Sequence, residues 1–414
     1  MAKKFDIPEF YTAEIIKTVK EARQVLDPRK KNLEPVTIDF GPVQFLVPRH
    51  FGFCYGVENA IDIAYRTVEQ NPDKNIYLLS EMIHNPNVNE DLKRRGVKFL
   101  FETNGEVLIP FSDLSADDIV IVPAFGTTLE IQRELEAIGI NPYQYDTTCP
   151  FVEKVWKRGR QLGKKENALV IHGKHTHEET RATFSHSAAA SSAVVVVLNP
   201  DEARMLAEIM LEKRPLSDFD TYFGHKSTPG FNPLQDLEKF GVINQTTMLA
   251  TETQEVMDIL RAAVVEKYGE DNVKKHFADT SDTLCYATNE NQSATRALME
   301  VDADLALVVG GYNSSNTTHL VELLEHKFPT YHIRDVSEMK SPEEIHHYDQ
   351  WKKQVLVSQN WLPLQSERPL KIAITSGASC PDSLVDEVIL KVLDYFEGTH
   401  SLEEALLPFR SEAV

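Results

Sequence analysis

Residues 305–316 read LALVVGGYNSSN. Five apolar residues make a run of strand length, two glycines end it, and a polar Asn/Ser stretch leads into the apolar face of a helix expected over 318–328. Strand, glycine turn and helix form the repeating unit of α/β proteins, because neighbouring parallel strands need a crossover helix between them. The unit recurs outward from this stretch. Strands are expected over 43–47, 76–79, 119–122, 168–171, 193–198 and 372–375, and helices over 12–25, 57–69, 129–138, 252–268 and 382–396. Residues 211–240 hold Pro215, Pro229, Gly230 and Pro233 and read as an excursion within the middle of the chain. Residues 1–42 read as a helix-bearing extension.

A chain of 414 residues can form two or three domains, each with its own core. Hydrophobic residues at 42% and charged residues at 26% match a globular protein. No apolar run approaches the roughly 20 residues that span a bilayer. The first forty residues carry Asp6, Glu9, Glu14, Glu21, Asp27, Glu34 and Asp39 and lack the apolar core of a signal peptide, so a soluble, cytoplasmic protein is expected. A net charge of −20 argues against nucleic acid as partner, since a phosphate backbone calls for a basic surface. A small anion remains an admissible ligand if the groups that meet it are locally positive or dipolar.

The four cysteines, Cys54, Cys149, Cys285 and Cys380, form no CxxC pair, which excludes the common zinc-finger spacing, and a reducing compartment disfavours disulfides. Three stand in distinctive junctions: GFCYGV at 52–57, DTTCP at 146–150 and DTLCYAT at 282–288. Cys54 falls between an expected strand and helix, and Pro150 favours a first helical turn directly after Cys149. A helix N-terminus stabilises thiolate, the form that binds metal. Each cysteine alone could equally be a small buried hydrophobe. Cys380, in SCPD at 379–382, has the same local geometry, and spacing does not exclude it as a fourth ligand.

Two loops suit an anion. GGYNSSN at 310–316 and SGAS at 376–379 each follow a strand and open a helix, offering backbone N–H groups, hydroxyls and a helix dipole to phosphate oxygens. Neither is a Walker A loop or a full GxGxxG, so a nucleotide is not specified, and plain helix capping uses the same residues. HGKHTHEET at 172–180 follows the strand at 168–171; His and Glu at a strand end suit proton transfer or metal ligation, although a solvated loop would look similar. His84, in EMIHNP at 81–86, stands at another strand end.

Taken in order, GFCYGV, IHNPNV, DTTCP, HTHEET, NQTTM, CYAT, NSSN and GAS resemble the 4-hydroxy-3-methylbut-2-enyl diphosphate reductase family, the last enzyme of the methylerythritol phosphate route to isoprenoids. The motifs run from Gly52 to Ser379. The resemblance implies an α/β fold of three pseudo-threefold-related domains, with small, mostly parallel sheets around a central iron-sulfur cluster. It places them at 43–149, 150–280 and 281–398, with strand 43–48 free to join the third sheet, an extension over 1–42 and a tail over 399–414.

The same resemblance implies that Cys54, Cys149 and Cys285 ligate a 4Fe-4S cluster, and that Cys380 is a packed residue. Cubane clusters commonly take four cysteines, so three would leave one iron open to substrate. It further implies that His84, His177, Ser314, Ser315, Asn316 and Ser379 contact the diphosphate, and that Glu179, aided by Thr246, delivers the proton that lets the allylic hydroxyl leave as water. The products would be isopentenyl and dimethylallyl diphosphates. One departure stands out: many bacterial members have histidine where PAFG at 123–126 has Phe125, while the long cyanobacterial and plant-like variant reads as this chain does.

A ferredoxin or flavodoxin is implied as electron donor. Lys154, Lys157, Arg158, Arg160, Lys164 and Lys165 fall on an expected helix after Cys149 and form a candidate docking face for such an acidic carrier, though an ordinary solvated helix face would look alike. Three competing readings use the same cysteines: a zinc hydrolase of a phosphorylated substrate, a non-enzymatic iron-sulfur sensor, and another three-cysteine dehydratase such as quinolinate synthase. The sensor gives no reason for the Glu179 loop, and the order of HTHEET, NSSN and GAS disfavours the dehydratase.

Overall fold

Residues 5–191, 193–278, 283–364 and 368–411 are described by a computed structural model; Asp282 of the third cysteine motif and the domain boundary expected at 280/281 lie outside the described residues. The chain divides into two compact units. One comprises Met1–Glu58, His84–Glu90 and Tyr286–Val414, the other Asn59–Ile83 and Asp91–Cys285.

In the first unit a five-stranded sheet runs in the order β1 (Val36–Asp39), β2 (Val43–Val47), β14 (Leu370–Ser376), β10 (Leu305–Val309), β11 (Thr330–Ile333). All neighbours are parallel except the β1–β2 hairpin at the edge. Strand β10 is apolar throughout and β14 is buried at all but one position, as expected of central strands covered on both faces. One core layer joins Phe45, Leu307, Ile372 and Ile374 to α14 (Asp382–Leu393), α1 (Glu14–Leu26) and α15 (Leu402–Ser411), and the opposite layer joins Val308 and Ala373 to α13 (Ser315–Glu325) and α12 (Tyr286–Met299). The strand at 43–47 thus pairs with the sheet of the C-terminal third of the chain, and residues 402–411 form a helix with Leu406 and Phe409 in the core. A separate hairpin pairs β12 (Glu344–Asp349) with β13 (Gln354–Gln359).

The second unit holds two parallel sheets. The smaller has the order β4 (Lys98–Phe99), β3 (Ile76–Leu78), β5 (Ile119–Ile121), and the larger β7 (Val194–Val197), β6 (Ala168–His172), β8 (Phe240–Asn244), β9 (Phe277–Ala278). Around them lie α4 (Leu129–Ile138), α5 (Pro150–Gly163), α6 (Glu178–Ala188), α7 (Pro200–Met210), α8 (Ser217–Tyr222), α9 (Pro233–Asp236), α10 (Ala250–Tyr268) and α11 (Val273–His276). Two helices, α2 (Tyr55–Gln70) and α3 (Pro86–Arg94), begin in the first unit and end in the second. Among the described residues no helix is long and apolar enough to cross a membrane.

All seven expected strands form, each within three residues of its expected ends. The reading of 211–240 as an excursion needs correction. Its prolines start α9 and bound turns, and its aromatic residues Phe219, Phe223 and Phe231 stack and are buried with Leu237 in the larger core. Burying each Phe is worth about 1.5–3 kcal/mol, more than the turns between them cost. The expected basic helix ends at Gly163, leaving Lys164 and Lys165 beyond it.

The N-terminal helix is tied down by one buried carboxylate. Asp386 of α14 accepts the N–H groups of Ile15 and Ile16, 2.8 and 2.9 Å away, in the first turn of α1. Burial raises its carboxyl to about 7, against the two N–H donors, with Asp382 and Glu14 adding to the rise. The folded state therefore holds a proton that the unfolded chain releases near pH 4, so stability falls as pH rises from about 4 to about 7 and is level above. Asp386→Asn, which does not ionise, is expected to flatten that fall in thermal unfolding midpoints recorded across the same range.

Candidate active site

The first unit gathers polar loops at the start of α13. Ser314 caps α13, its Oγ accepting the N–H of Thr317 and the hydroxyl of Thr317 at 2.9 Å. Gly311 has no Cβ because one would lie 2.5 Å from the carbonyl oxygen of His84, so this glycine is what lets the 83–88 motif close on the loop. Ser379 donates its hydroxyl to that same His84 carbonyl at 3.1 Å. Asn316 accepts from the N–H of Ala378 at 2.8 Å and from Asn291 Nδ2, which orients its own amide. The Nδ2 of Asn316 is buried and, among the described residues, has no hydrogen-bond partner. His84, Ser314, Asn316 and Ser379 are all buried, and Ser315 is half-buried.

Cys54 belongs to the same unit. It directly precedes α2, its N–H donates to the carbonyl of Ala378 at 3.2 Å, and it is partly exposed. Cys380 differs: its side chain has no solvent exposure, and burial drives its thiol far above the usual range. It packs among Ile372, Val385 and Ile389, the setting of an inert small hydrophobe.

The second unit holds a buried acid. His177 caps α6, its Nδ1 accepting the N–H of Glu179. Glu179, 2% exposed, points its carboxylate at Thr246, whose N–H donates to Oε1 at 2.5 Å and whose hydroxyl lies 3.0 Å from Oε2. Thr246 sits just past β8, where Gln245 braces the loop: its N–H donates to the His172 carbonyl, and its Oε1 accepts from Thr180 and from the N–H of Lys174. The carbonyl of Thr246 in turn accepts the N–H of Cys285 at 3.3 Å. One threonine therefore links the acid to a cysteine.

Cys149 is the N-cap of α5, with its own N–H bound to the carbonyl of Ala124 at 2.9 Å. Burial lifts its thiol to about 11; the N–H groups of Phe151 and Val152 oppose this, while nearby Cys285 and Glu179 reinforce it. Cys149, Cys285 and Glu179 thus share one electrostatic neighbourhood inside this unit. Among the described residues, no group of three or more His, Cys, Asp or Glu side chains is arranged to hold a single metal ion. Phe125 stands edge-on to the His177 ring, centroids 5.7 Å apart.

Sequence reading missed the supporting residues. Thr317, Asn291, Gln245 and Thr180 carry no motif chemistry of their own, and only their polar side chains at full burial mark them. Unpaired, such groups would be costly inside a protein, so they point to a network.

Fold and geometry define an α/β protein with a Ser/Asn-capped helix start in one unit, a buried carboxylate in the other, and partly accessible thiols directly before helices. Residues 46–393 match the family model described as LytB protein. The chain is 40% identical over 353 residues to the 4-hydroxy-3-methylbut-2-enyl diphosphate reductase of Thermosynechococcus vestitus, covering 85% of each chain. It is 37% identical to the same-named protein of Synechocystis sp., covering 94% of this chain and 99% of that one. The chain belongs to the LytB family. Its fold also matches two solved structures. One, of (E)-4-hydroxy-3-methyl-but-2-enyl diphosphate reductase, described as the terminal enzyme of the non-mevalonate pathway, gives a TM-score of 0.51 at 23% identity over 84% of this chain and 99% of that one. The other, the E-1-hydroxy-2-methyl-but-2-enyl-4-diphosphate reductase of Plasmodium falciparum, gives 0.60 at 21% identity over 87% of this chain and 96% of that one.

Proposed function

We propose that this chain reductively removes the hydroxyl of 4-hydroxy-3-methylbut-2-enyl diphosphate, giving isopentenyl and dimethylallyl diphosphates, with a 4Fe-4S cluster held by Cys54, Cys149 and Cys285. Relatives of nearly the same length carry this activity in their names. The observation within the chain that carries the reading is Glu179, a buried acid held by two donors of Thr246 in the neighbourhood of Cys149.

The residues present fit the cofactor. Three of the four cysteines are partly accessible, each directly before a helix start, and the fourth is sealed in a core. When bound, the cluster supplies the two electrons of the reduction and a Lewis-acidic iron for the leaving oxygen. The chain's own groups do the rest. Ser314, Ser315, Asn316 and Ser379, with the N-terminus of α13, grip the diphosphate, and Asn316 Nδ2 gains its missing acceptor. His84 and His177 contact the same group. Glu179 holds a proton for the departing hydroxyl, which leaves as water, and Thr246 fixes its direction; the second proton of this two-electron, two-proton reduction ends on the allylic carbon. This reading has three α/β domains, at 43–149, 150–280 and 281–398, with Cys54 and Cys149 in the first, Cys149 at its very end, and Cys285 in the third.

An acidic one-electron carrier, ferredoxin or flavodoxin in the cytoplasm, would refill the cluster. The exposed cations Lys154, Lys157 and Arg160 on α5, the helix that Cys149 caps, offer it a face. The decisive experiment is anaerobic purification, iron and acid-labile sulfide counting, and assay with the allylic diphosphate. Iron with sulfide and turnover are expected; zinc without sulfide would favour a hydrolase instead. In the same assay, reversing Lys157, Arg158 and Lys164 to Glu should slow turnover with reduced ferredoxin and spare turnover with a small chemical reductant. Unchanged rates with both donors would remove the docking face.

A further inference from the structure

The N-terminal segment, which carries no motif, lies along the turn that presents Cys54. Phe5 meets the Tyr55 ring edge-on at 4.9 Å, and Tyr11 meets Phe53 at 5.7 Å. The strongest contact is made by Lys20 of α1. Its Nζ donates to the carbonyl of Phe51 at 3.1 Å, to Asp382 Oδ1 at 2.7 Å and Oδ2 at 2.9 Å, and stands 4.4 Å from the centre of the Phe51 ring. The turn is built to admit this group. Gly52 has a φ of +78°, and a Cβ there would fall 2.4 Å from Asp382 Oδ1 and 2.9 Å from Lys20 Nζ.

We propose that Lys20 is a positioning residue for Cys54: a latch through which the N-terminal helix holds the 51–54 turn against the start of α14. The reach of one cation to a main-chain carbonyl three residues before the cysteine, and to a carboxylate on the first residue of α14, fixes the turn from outside while the Cys54 N–H fixes it from inside at Ala378. Lys20 is also the counter-charge for two acids. Asp382 faces it directly, and Glu58, in the first turn of α2, has its carboxyl raised first by burial and further by Asp382, with Lys20 opposing. Without the ammonium the Asp382 carboxylate loses its partner and the Phe51 carbonyl its donor, which loosens the turn.

The importance of the latch to activity rests on Cys54 serving as a cluster ligand, but the latch itself is read without the cofactor. The test uses the full-length chain stripped of iron, alkylated with iodoacetamide and followed by peptide mass spectrometry. Cys149 serves as the reference thiol and sealed Cys380 as a reporter of global unfolding. Lys20→Met is expected to raise the Cys54-to-Cys149 labelling ratio about fivefold to tenfold, the effect of losing one charge-assisted, partly exposed hydrogen bond on local opening. Lys20→Arg should restore the wild-type ratio within about twofold, since its guanidinium keeps the charge and the donors. Lys17→Met, on the exposed side of the same helix, should leave it unchanged.

An unchanged ratio in Lys20→Met, or no rescue by Lys20→Arg, overturns the proposal. If Cys380 becomes labelled in Lys20→Met, Asp382→Asn takes its place, and an unchanged ratio there overturns the proposal equally. A wild-type chain that purifies without iron and sulfide sinks the cluster reading and leaves the labelling result to stand or fall separately.

Discussion

Glu179→Gln is expected to lower turnover by about a hundredfold to ten-thousandfold, the range over which a positioned general acid acts. The substitution is nearly isosteric. Glutamine Oε1 can still accept the Thr246 N–H, and its amide can donate to the Thr246 hydroxyl, so the loop that also carries Cys285 keeps its brace. What disappears is the proton. An allylic hydroxyl is a poor leaving group, and a buried amide cannot protonate it. Binding of the diphosphate should change little, since the proposed grip uses Ser314, Ser315, Asn316, Ser379, His84 and His177 and not the Glu179 carboxylate, and the Glu179 N–H that meets His177 is untouched by the substitution. Single-turnover rates and substrate Kd measured on the same preparation separate the two effects; a loss confined to binding would remove Glu179 from the chemistry.

The second large effect separates cysteine from cysteine. Cys149→Ser is expected to yield protein with iron and sulfide reduced to near background and no measurable turnover, whereas Cys380→Ala retains both. The contrast follows from setting. Cys149 caps α5 with two N–H groups facing its sulfur, and its thiol, raised to about 11 by burial, needs a bound cation to remain thiolate at neutral pH. Cys380 has no exposure and lies among aliphatic side chains, so shortening it costs only packing, about 1 kcal/mol. Iron retained in Cys149→Ser, or lost in Cys380→Ala, would reassign the ligands.

These two tests depend on residues of different legibility. The fully buried strands could be read directly because they are apolar on both faces: LALVV at 305–309, in the interior of its sheet, and VVVV at 194–197, at the edge of its own, have no polar alternative. The polar strands at 344–349 and 354–359 were not legible, because their pairing is decided by cross-strand register and not by an apolar run. Strand 240–244 escaped as well, hidden behind prolines that turned out to bound helices and turns. Cys54, Cys149 and Cys285 stood out through their neighbours, yet nothing local distinguished them from Cys380.

Sequence alone determined the α/β class and membership of a family whose motifs follow one another in fixed order, because both are written in short-range pattern. Tertiary structure decided the rest. It sealed Cys380 and left the other three cysteines accessible, set Thr246 against Glu179 across 67 positions of chain, left one amide of Asn316 without a partner, and laid Lys20 beside the Cys54 turn. Burial and hydrogen-bond partners depend on which distant segments meet, and that meeting is fixed by the packing of whole helices and sheets, not by any residue's immediate neighbours.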